Sequence, residues 1–236
     1  KSIVMLKNSQ SVLPIKEQKT VYIPKRYVAA SRNFLGVETP ASEDYPVNIN
    51  IVKKYFNVTD DASKADFGFI IIEAPNPGFG YDKKDIESGG NGYIPITLQY
   101  GAYTATSARA NSIAGGDPLE NFTNRSYKGK TTTSENTSDA ALVIATKTKL
   151  NGKPLIVSIS ANNPMVFSEI ESSCTAILYT FGVQDQAIMD IISGKNEPSA
   201  LLPMQMPARM EVVESQFEDQ PFDMKCHEDS DGHTYE

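Results

Sequence analysis

Tryptophan is absent from this sequence of 236 residues, and cysteine and histidine occur only twice each. Two cysteines cannot form a framework of several disulfides, and their spacing leaves open whether Cys174 and Cys226 pair. No apolar run approaches the roughly 18 residues of a membrane-spanning helix, so we expect no membrane partner. The net charge of −7, with no cluster of lysine and arginine, argues against nucleic acid as a partner.

Motifs for cofactors and for nucleophilic catalysis are also scarce. Gly78-Phe79-Gly80 lacks the third glycine that opens a helix in a dinucleotide fingerprint, so a flexible loop is the better interpretation. Ser158 and Ser160 lie in a predicted strand without the sharp turn that exposes a nucleophilic serine, and no histidine is spaced to complete a triad. The sequence therefore predicts no cofactor.

Residues able to bind a metal are concentrated near the acidic C-terminus. Asp229-Ser230-Asp231-Gly232 resembles part of a calcium loop, but its first ligand position falls on His227 and its last lies past Glu236. Cys226 and His233 could also bind a metal, although such residues in an acidic segment are more often solvated or packed against a partner. We predict no metal site.

Four N-glycosylation sequons matter only if the source glycosylates secreted proteins. They begin at Asn57, Asn121, Asn124 and Asn136.

The sequence starts at Lys1 and shows no charged-then-apolar signal peptide, so we expect a mature product or a piece of a longer protein.

The composition that remains is that of a globular protein, with 40% apolar and 22% charged residues. Apolar runs bounded by turn residues predict strands at residues 19–23, 57–59, 67–72, 94–98, 154–160 and 175–181. Capping residues and apolar spacing predict helices at residues 49–56, 134–150, 165–171 and 184–193. Residues 1–19 are expected to form a short helix or an extended arm. Residues 201–207 are expected to form an edge strand, because their prolines exclude a central place in the sheet.

Alternation of strands and helices in the second half is typical of parallel strands joined by right-handed crossovers. The sequence therefore predicts an α/β fold. We expect a three-layer α/β/α sandwich with a mostly parallel sheet and a flavodoxin-like appearance.

The stretch from residue 65 to 98 carries the strongest functional signal. Residues 67–72 are apolar at every position, which is typical of a strand covered on both faces, and Glu73 stands where the run stops. About twenty residues rich in glycine, proline and carboxylates follow, and a loop of that length is usually functional or disordered. Because ligands bind beyond the carboxyl ends of strands in open α/β sheets, we interpret the loop as substrate-facing. The alternative is a solvated connection with no role.

Carboxylates are the chemistry that this loop offers. Glu73, Asp82, Asp85 and Glu87 all belong to it. Hydrolysis of a glycosidic bond requires two carboxyl groups that flank the scissile bond. Acidic residues are common in loops, so composition alone leaves glycoside hydrolysis a hypothesis.

Four stretches resemble the C-terminal α/β domain of glycoside hydrolase family 3, and they cover nearly the whole chain. They are Ser2-Ile3-Val4-Met5-Leu6-Lys7-Asn8 with Leu13-Pro14-Ile15, then Ala65-Asp66, then Lys153-Pro154-Leu155-Ile156-Val157 with Asn163-Pro164, and last Phe181-Gly182-Val183-Gln184-Asp185-Gln186-Ala187 with Ser193-Gly194, Pro198-Ser199 and Leu202-Pro203. The opening and closing motifs are fairly specific because they occur in order at sensible separations.

The resemblance implies a retaining enzyme that removes terminal β-linked sugars, most simply a β-glucosidase acting on a β-glucoside or an oligosaccharide. The nucleophile of such enzymes is an Asp on a preceding (β/α)8 barrel, which makes that barrel the expected partner. We therefore expect a linker arm over residues 1–18, the α/β sandwich over 19–210 and an acidic tail over 211–236. The chain alone is expected to be inactive, and a periplasmic or secreted location is favoured.

The resemblance also points to the catalytic residues. Family members commonly supply the acid/base Glu from a loop after a strand, and Glu73 stands at the end of the predicted buried strand. Glu73 is the first candidate and Asp82 the second. Phe79, Tyr81 and Glu87 are assigned to the part of the loop that contacts substrate.

Two departures from the family patterns bear on that assignment. Many members have a Glu before Gly-x-Asp, whereas this sequence has Phe79 before Gly80-Tyr81-Asp82. Others carry Gly-Glu-x-Pro. Glu73 matches the acid of that motif. A second acid is expected a few residues later, and Gly78 stands at that position instead.

Two other classes of function stay open. A non-catalytic carbohydrate-binding or scaffolding α/β domain would share the fold without the catalysis. A flavodoxin-like nucleotide binder is the more distant alternative. A (β/α)8 barrel encoded upstream of Lys1 would favour the enzyme, and its absence would favour the binding domain.

Overall fold

The computed structural model describes residues 2–16, 18–32, 37–112, 124–161, 163–217 and 220–236. Its strands are β1 (Ile3–Asn8), β2 (Thr20–Tyr22), β3 (Arg26–Val28), β4 (Ser31–Arg32), β5 (Glu38–Thr39), β6 (Ser42–Asp44), β7 (Asn57–Thr59), β8 (Phe67–Glu73), β9 (Tyr103–Thr104), β10 (Thr131–Thr132), β11 (Leu155–Ser160) and β12 (Ala176–Thr180). Its α-helices are α1 (Ile49–Val52), α2 (Lys83–Glu87), α3 (Ser138–Leu150), α4 (Asp185–Ile192) and α5 (Met210–Glu214). Within these described ranges, the helices are too short or too polar to cross a membrane.

A six-stranded sheet lies at the centre, in the order β1-β12-β11-β8-β2-β7. β1 pairs antiparallel with β12 at one edge, and the other five strands run parallel. The mostly parallel sheet predicted from the sequence is confirmed. β8 lies between β11 and β2, and Ser160 pairs with Glu73, so the carboxyl ends of β8 and β11 meet at one edge of the sheet.

Side chains of β8 pack alternately into two cores, one on each face of the sheet. Ile70 and Ile72 belong to a core with α3, whereas Phe67 and Phe69 belong to a core with α1 and α4. Both sets are at most 2% exposed, which explains why the strand is apolar at every position. Helices on the two faces make the predicted three-layer α/β/α sandwich.

The end of α3 is set by a local conformation and its start by a contact with β8. The helix ends where Asn151 adopts a left-handed conformation with φ of 46°, which asparagine tolerates better than most residues. It begins at Ser138 and not at residue 134 as predicted. The Asn136 side chain donates a hydrogen bond to the Ala74 carbonyl at 3.1 Å, which holds the preceding segment against the end of β8.

The strands predicted at residues 94–98 and 201–207 do not form, because both segments bond to other partners. The Leu98 carbonyl accepts a hydrogen bond from the Val166 amide at 2.8 Å. The amide and carbonyl of Met206 bond to the C-terminal segment at 2.9 and 2.7 Å. The two edges of the sheet are β1 and β7.

The helix predicted at residues 165–171 is also wrong. Residues 165–167 have no regular structure, residues 168–170 form a turn, and a 3-10 helix follows at Glu171–Ser173. Met165, Val166 and Phe167 are each at most 1% exposed. Three consecutive buried residues do not fit an amphipathic helix, which buries a single stripe.

Residues near both ends of the chain belong to the sandwich. The N-terminal stretch, expected as a short helix or an extended arm, contains β1, and Val4 lies in the α3-side core. Tyr235 is 2% exposed and its ring packs edge-on against Phe167, with centroids 5.1 Å apart. The domain boundaries at residues 18 and 210 stay predictions.

Gly68 marks a close approach between β8 and α3. A Cβ atom at this position would lie 2.5 Å from Cδ1 of Leu150 and 3.2 Å from Cδ1 of Leu155. We expect Gly68→Ala to lower the free energy of unfolding by about 1–3 kcal/mol, because a packed core accommodates an extra methyl group poorly. Denaturant unfolding of the wild-type and variant chains measures the difference.

Leu150→Ala provides the matched background for this test. Gly68→Ala should cost less in that background than in the wild type, because the closest contact has been removed. Equal costs in the two backgrounds would show that α3 does not restrict the size of residue 68.

Candidate functional site

Glu73 leaves the carboxyl end of β8 with its backbone held on both sides. Its amide donates a hydrogen bond to Oδ2 of Asp139 at 3.2 Å. Its carbonyl accepts hydrogen bonds from the Tyr100 hydroxyl at 2.6 Å and from Nδ2 of Asn136 at 3.3 Å. The side chain is 60% exposed, so a solvent-accessible carboxylate extends from a fixed position.

Arg26, on β3, joins the side chains of Asp139 and Glu73. Its Nε and Nη2 donate to the two oxygens of Asp139 at 2.7 and 2.8 Å, and its Nη1 donates to Oε1 of Glu73 at 3.1 Å. Burial lowers the pKa of Arg26, but the hydrogen bonds to Asp139 and Glu73 outweigh burial and hold the pKa above its usual value. Arg26 therefore stays charged and compensates Asp139, which is 1% exposed.

Asp82, the second predicted acid, is the N-terminal cap of α2. Its Oδ1 accepts a hydrogen bond from the Lys84 amide at 2.9 Å, and its own amide donates to the Gly92 carbonyl at 2.9 Å. A carboxylate at this position satisfies an amide that the helix leaves unbonded. Among the described residues, Asp82 and Glu73 share no hydrogen-bond partner.

Asp85 anchors the predicted substrate loop. Its Oδ2 accepts hydrogen bonds from Nζ of Lys130 at 2.6 Å and from the Gly92 amide at 2.7 Å. The hydrogen bond from Lys130, followed by that from Gly92, lowers the pKa of Asp85 below its usual value. Lys130 also donates to Oδ1 of Asn91 at 2.6 Å, so one cation fixes two points of the loop.

The residues assigned to substrate contact lie at the surface of this loop. Phe79 is 91% exposed and Tyr81 is 50% exposed. The Tyr81 ring packs edge-on against Tyr93, with centroids 5.9 Å apart. Glu87 is exposed at the end of α2. Two aromatic faces and a carboxylate are thus open to a ligand.

Asn76 connects the loop to the segment that holds Glu73. Its amide donates to Oδ1 of Asn136 at 2.7 Å, and its Nδ2 donates to Oε2 of Glu135 at 2.7 Å. Asn136 in turn donates to the Glu73 carbonyl and to Asp139. The loop therefore begins at a fixed point beside Glu73.

A second polar cluster lies near the C-terminus. Candidate ligand atoms of Asp229, Asp231 and His233 lie within 4.8 Å of one another. Oδ1 of Asp229 accepts hydrogen bonds from the amides of Asp231 and His233, both at 2.9 Å, so a local turn accounts for the close approach.

Cys174 and Cys226 are both free thiols, and burial raises the pKa of Cys174 to about 12.

The sequence model of the Glycosyl hydrolase family 3 C-terminal domain matches residues 3–236. The chain belongs to this family. The match confirms the resemblance that four stretches of the sequence indicate, and it includes β1 as well as the C-terminal segment that packs against Phe167.

Curated relatives of this family 3 domain include β-glucosidases from fungi. It is 37% identical over 70 residues to Beta-glucosidase C of Emericella nidulans. It is 38% identical over 72 residues to Probable beta-glucosidase C of Aspergillus flavus and of Aspergillus oryzae. Each match covers 30% of this chain and 11% of the relative, so the chain spans a small part of the length of these relatives.

Solved structures similar to the family 3 domain include the β-glucosidase from Listeria innocua in complex with isofagomine. The TM-score is 0.47 at 16% identity, over 88% of this chain and 26% of that one. Another is β-glucosidase 3B from Thermotoga neapolitana in complex with glycerol. Its TM-score is 0.48 at 13% identity, over 88% of this chain and 29% of that one.

Sequence reasoning missed Arg26, Asp139 and Lys130 as parts of the site. Arg26 stands in a stretch without periodicity, and Asp139 has only the signal of an acid in the first turn of a helix. The two residues are 113 positions apart, so no local pattern could show that they pair. The available signal was their polarity alone.

Asp139→Ala should destabilise the family 3 domain strongly. It would leave the Arg26 guanidinium, whose side chain is 12% exposed, without its bidentate partner. Removing one member of a buried ion pair costs about 3–5 kcal/mol, and we expect a loss of that size in denaturant unfolding.

Glu197→Ala is the matched control, because Glu197 is exposed. It should change the free energy of unfolding by no more than about 0.5 kcal/mol. If Asp139→Ala cost no more than this control, the pair would not contribute to stability.

Proposed function

We propose that this family 3 domain is the C-terminal part of a retaining β-glucosidase that hydrolyses terminal β-linked sugars. The match of the family over residues 3–236 carries the proposal, and the β-glucosidase relatives support the choice of sugar. The partner in this proposal is an upstream (β/α)8 barrel of the same protein, which supplies the nucleophilic Asp. A retaining enzyme holds its two carboxyl groups about 5–5.5 Å apart, so neither domain is sufficient alone.

Glu73 is the acid/base in this proposal. Its backbone is fixed by three hydrogen bonds, and its carboxylate is 60% exposed at the edge of the sheet where ligands bind. The hydrogen bond from Arg26 orients the carboxyl group. In the first step the protonated group gives its proton to the glycosidic oxygen, and in the second it removes a proton from the attacking water.

Asp82 is the second choice for the acid/base. Its carboxylate accepts the hydrogen bond from the Lys84 amide that caps α2. Catalysis by Asp82 would break that cap, whereas catalysis by Glu73 leaves its backbone contacts unchanged.

The loop of residues 75–95 binds the sugar in this proposal. Phe79 and Tyr81 offer exposed aromatic faces, and Glu87 offers a carboxylate for hydroxyl groups. The ion pair of Asp85 with Lys130, at 2.6 Å, keeps the loop in place, so less conformational entropy is lost when substrate binds.

One observation favours a second candidate function, a non-catalytic carbohydrate-binding domain. Both candidate acids already have partners within the domain, Arg26 for Glu73 and the Lys84 amide for Asp82. In that case the exposed Phe79 and Tyr81 would bind sugar, and the acid/base would come from elsewhere.

The chain alone should not hydrolyse aryl β-glucosides, because the nucleophile lies on the barrel. The release of nitrophenol by the 236-residue chain and by the protein with its barrel, at equal concentration, measures this. Turnover by the chain alone at the rate of the complete protein would contradict the proposal of a barrel nucleophile.

In the complete protein, Glu73→Gln should lower kcat/KM for phenyl β-glucoside by about 100- to 10,000-fold, the usual contribution of a general acid. The kcat/KM for dinitrophenyl β-glucoside should change little, because its leaving group departs without a proton. Its kcat should fall, because the attacking water lacks a general base, and added azide should restore kcat because azide attacks the glycosyl-enzyme without one.

Asp82→Asn and Glu197→Gln are the comparison variants. Glu197→Gln, at an exposed position outside the loop, should behave as the wild type. Glu73 would not be the acid if Glu73→Gln lowered kcat/KM equally for both substrates, or if only Asp82→Asn lowered it more for the phenyl than for the dinitrophenyl substrate. If neither variant distinguished the two leaving groups, the carbohydrate-binding domain would be favoured.

A further inference from the structure

Three of the four sequons lie in the part of the chain that the structure describes, and their asparagines differ sharply in environment. They are Asn57-Val58-Thr59, Asn124-Arg125-Ser126 and Asn136-Thr137-Ser138. The sequon at Asn121 lies outside the described residues. A sequon specifies only that an oligosaccharide could be attached, and the folded structure decides which attachments are tolerated.

The Asn136 side chain is fully engaged. Its Nδ2 donates hydrogen bonds to the Ala74 carbonyl at 3.1 Å and to Oδ2 of Asp139 at 2.9 Å. Its Oδ1 accepts a hydrogen bond from the Asn76 amide at 2.7 Å. A sugar on Nδ2 would replace one of its two protons, so at least one of these hydrogen bonds beside Glu73 would be lost, and the sugar would crowd the Ala74 carbonyl and the Asp139 side chain. We therefore expect the folded domain to disfavour a glycan at this position.

The Asn124 side chain is engaged in the same way. Its Nδ2 donates to the Ala110 carbonyl at 2.6 Å. Its Oδ1 accepts hydrogen bonds from the amides of Ser112 and Ser126 at 2.7 and 3.0 Å. A sugar on Nδ2 would need space beside the Ala110 carbonyl, which lies 2.6 Å from that nitrogen, so we expect attachment to disturb the packing of these two loop segments.

Asn57 has the opposite environment. It is exposed and is the first residue of β7, which is the last strand of the sheet and pairs with β2. Its amide donates to the Lys19 carbonyl at 2.9 Å, and this bond uses only the main chain. Within the described residues, the Asn57 side chain makes no hydrogen bond that an oligosaccharide would displace.

We propose that Asn57 is the N-glycan acceptor among the described sequons when the protein passes through a glycosylating secretory compartment. The donor is an oligosaccharide on a lipid diphosphate. Nδ2 of Asn57 forms a bond to C1 of the first sugar, the bond from C1 to the phosphate oxygen breaks, and the lipid diphosphate leaves. Nδ2 gives up one proton to the transferase.

A glycan at Asn57 would cover part of the edge of the sheet. β7 is a terminal strand, and the free edge of such a strand can pair with another chain. A bulky, hydrated oligosaccharide on its first residue would stand beside that edge and oppose edge-to-edge association. The proposal is independent of hydrolysis, because β7 lies at the end of the sheet and the substrate loop follows β8.

The test is secretion of the complete protein from yeast, followed by treatment with endoglycosidase H, which leaves one N-acetylglucosamine on each modified asparagine. Peptide mass spectrometry then locates this sugar. We expect it on Asn57 in most of the secreted, folded molecules, and on Asn124 and Asn136 in almost none.

Asn57→Gln should abolish the signal at this site, and Thr59→Ser, which preserves the sequon, should retain it. Unmodified Asn57 in the secreted wild type would overturn the proposal. Comparable occupancy at Asn136 or Asn124 in folded protein would overturn it as well, because the hydrogen bonds of these side chains would then not restrict attachment.

Discussion

The buried charge of Asp139 is the constraint on which the candidate site depends. A carboxylate that is 1% exposed is tolerated only when it is paired and hydrogen-bonded, and Arg26 provides a bidentate partner. The same carboxylate accepts the Glu73 amide and Nδ2 of Asn136. One buried charge therefore joins β3, the end of β8 and the start of α3, and this junction determines where the Glu73 side chain leaves the sheet.

The loop after β8 shows how a long polar segment can hold a defined position without a core of its own. It is held by three polar contacts: Asp82 caps α2, Asp85 pairs with Lys130, and the Asn76 amide donates to Asn136. Between these anchors, the side chains of Phe79, Tyr81 and Ile86 are exposed. Phe79, at 91%, is the most exposed of them.

The proposed division of labour follows from this arrangement. In the proposal, the sandwich with its two cores presents Glu73 and an aromatic loop at the carboxyl edge of its sheet, and an upstream barrel supplies the nucleophile. Catalysis by two carboxyl groups on different domains depends on their separation, so the hydrogen bonds that join Arg26 to Asp139 and Glu73 are as relevant to the proposal as the identity of Glu73.

The sequence by itself determined the layers of the fold, because the signals for them are local. Each of these signals depends on neighbours along the chain. They are the apolar run of β8, the alternation that predicts β11, α4 and β12, and the left-handed cap at Asn151. The match with family 3 likewise followed from motifs in order. Only the tertiary structure decided that residues 201–207 pair with the C-terminal segment, that Asp82 caps a helix, and that Arg26 reaches Asp139 across 113 positions. Those outcomes depend on which surfaces meet after the sheet has formed, and a polar residue in a loop carries no local mark of its partner.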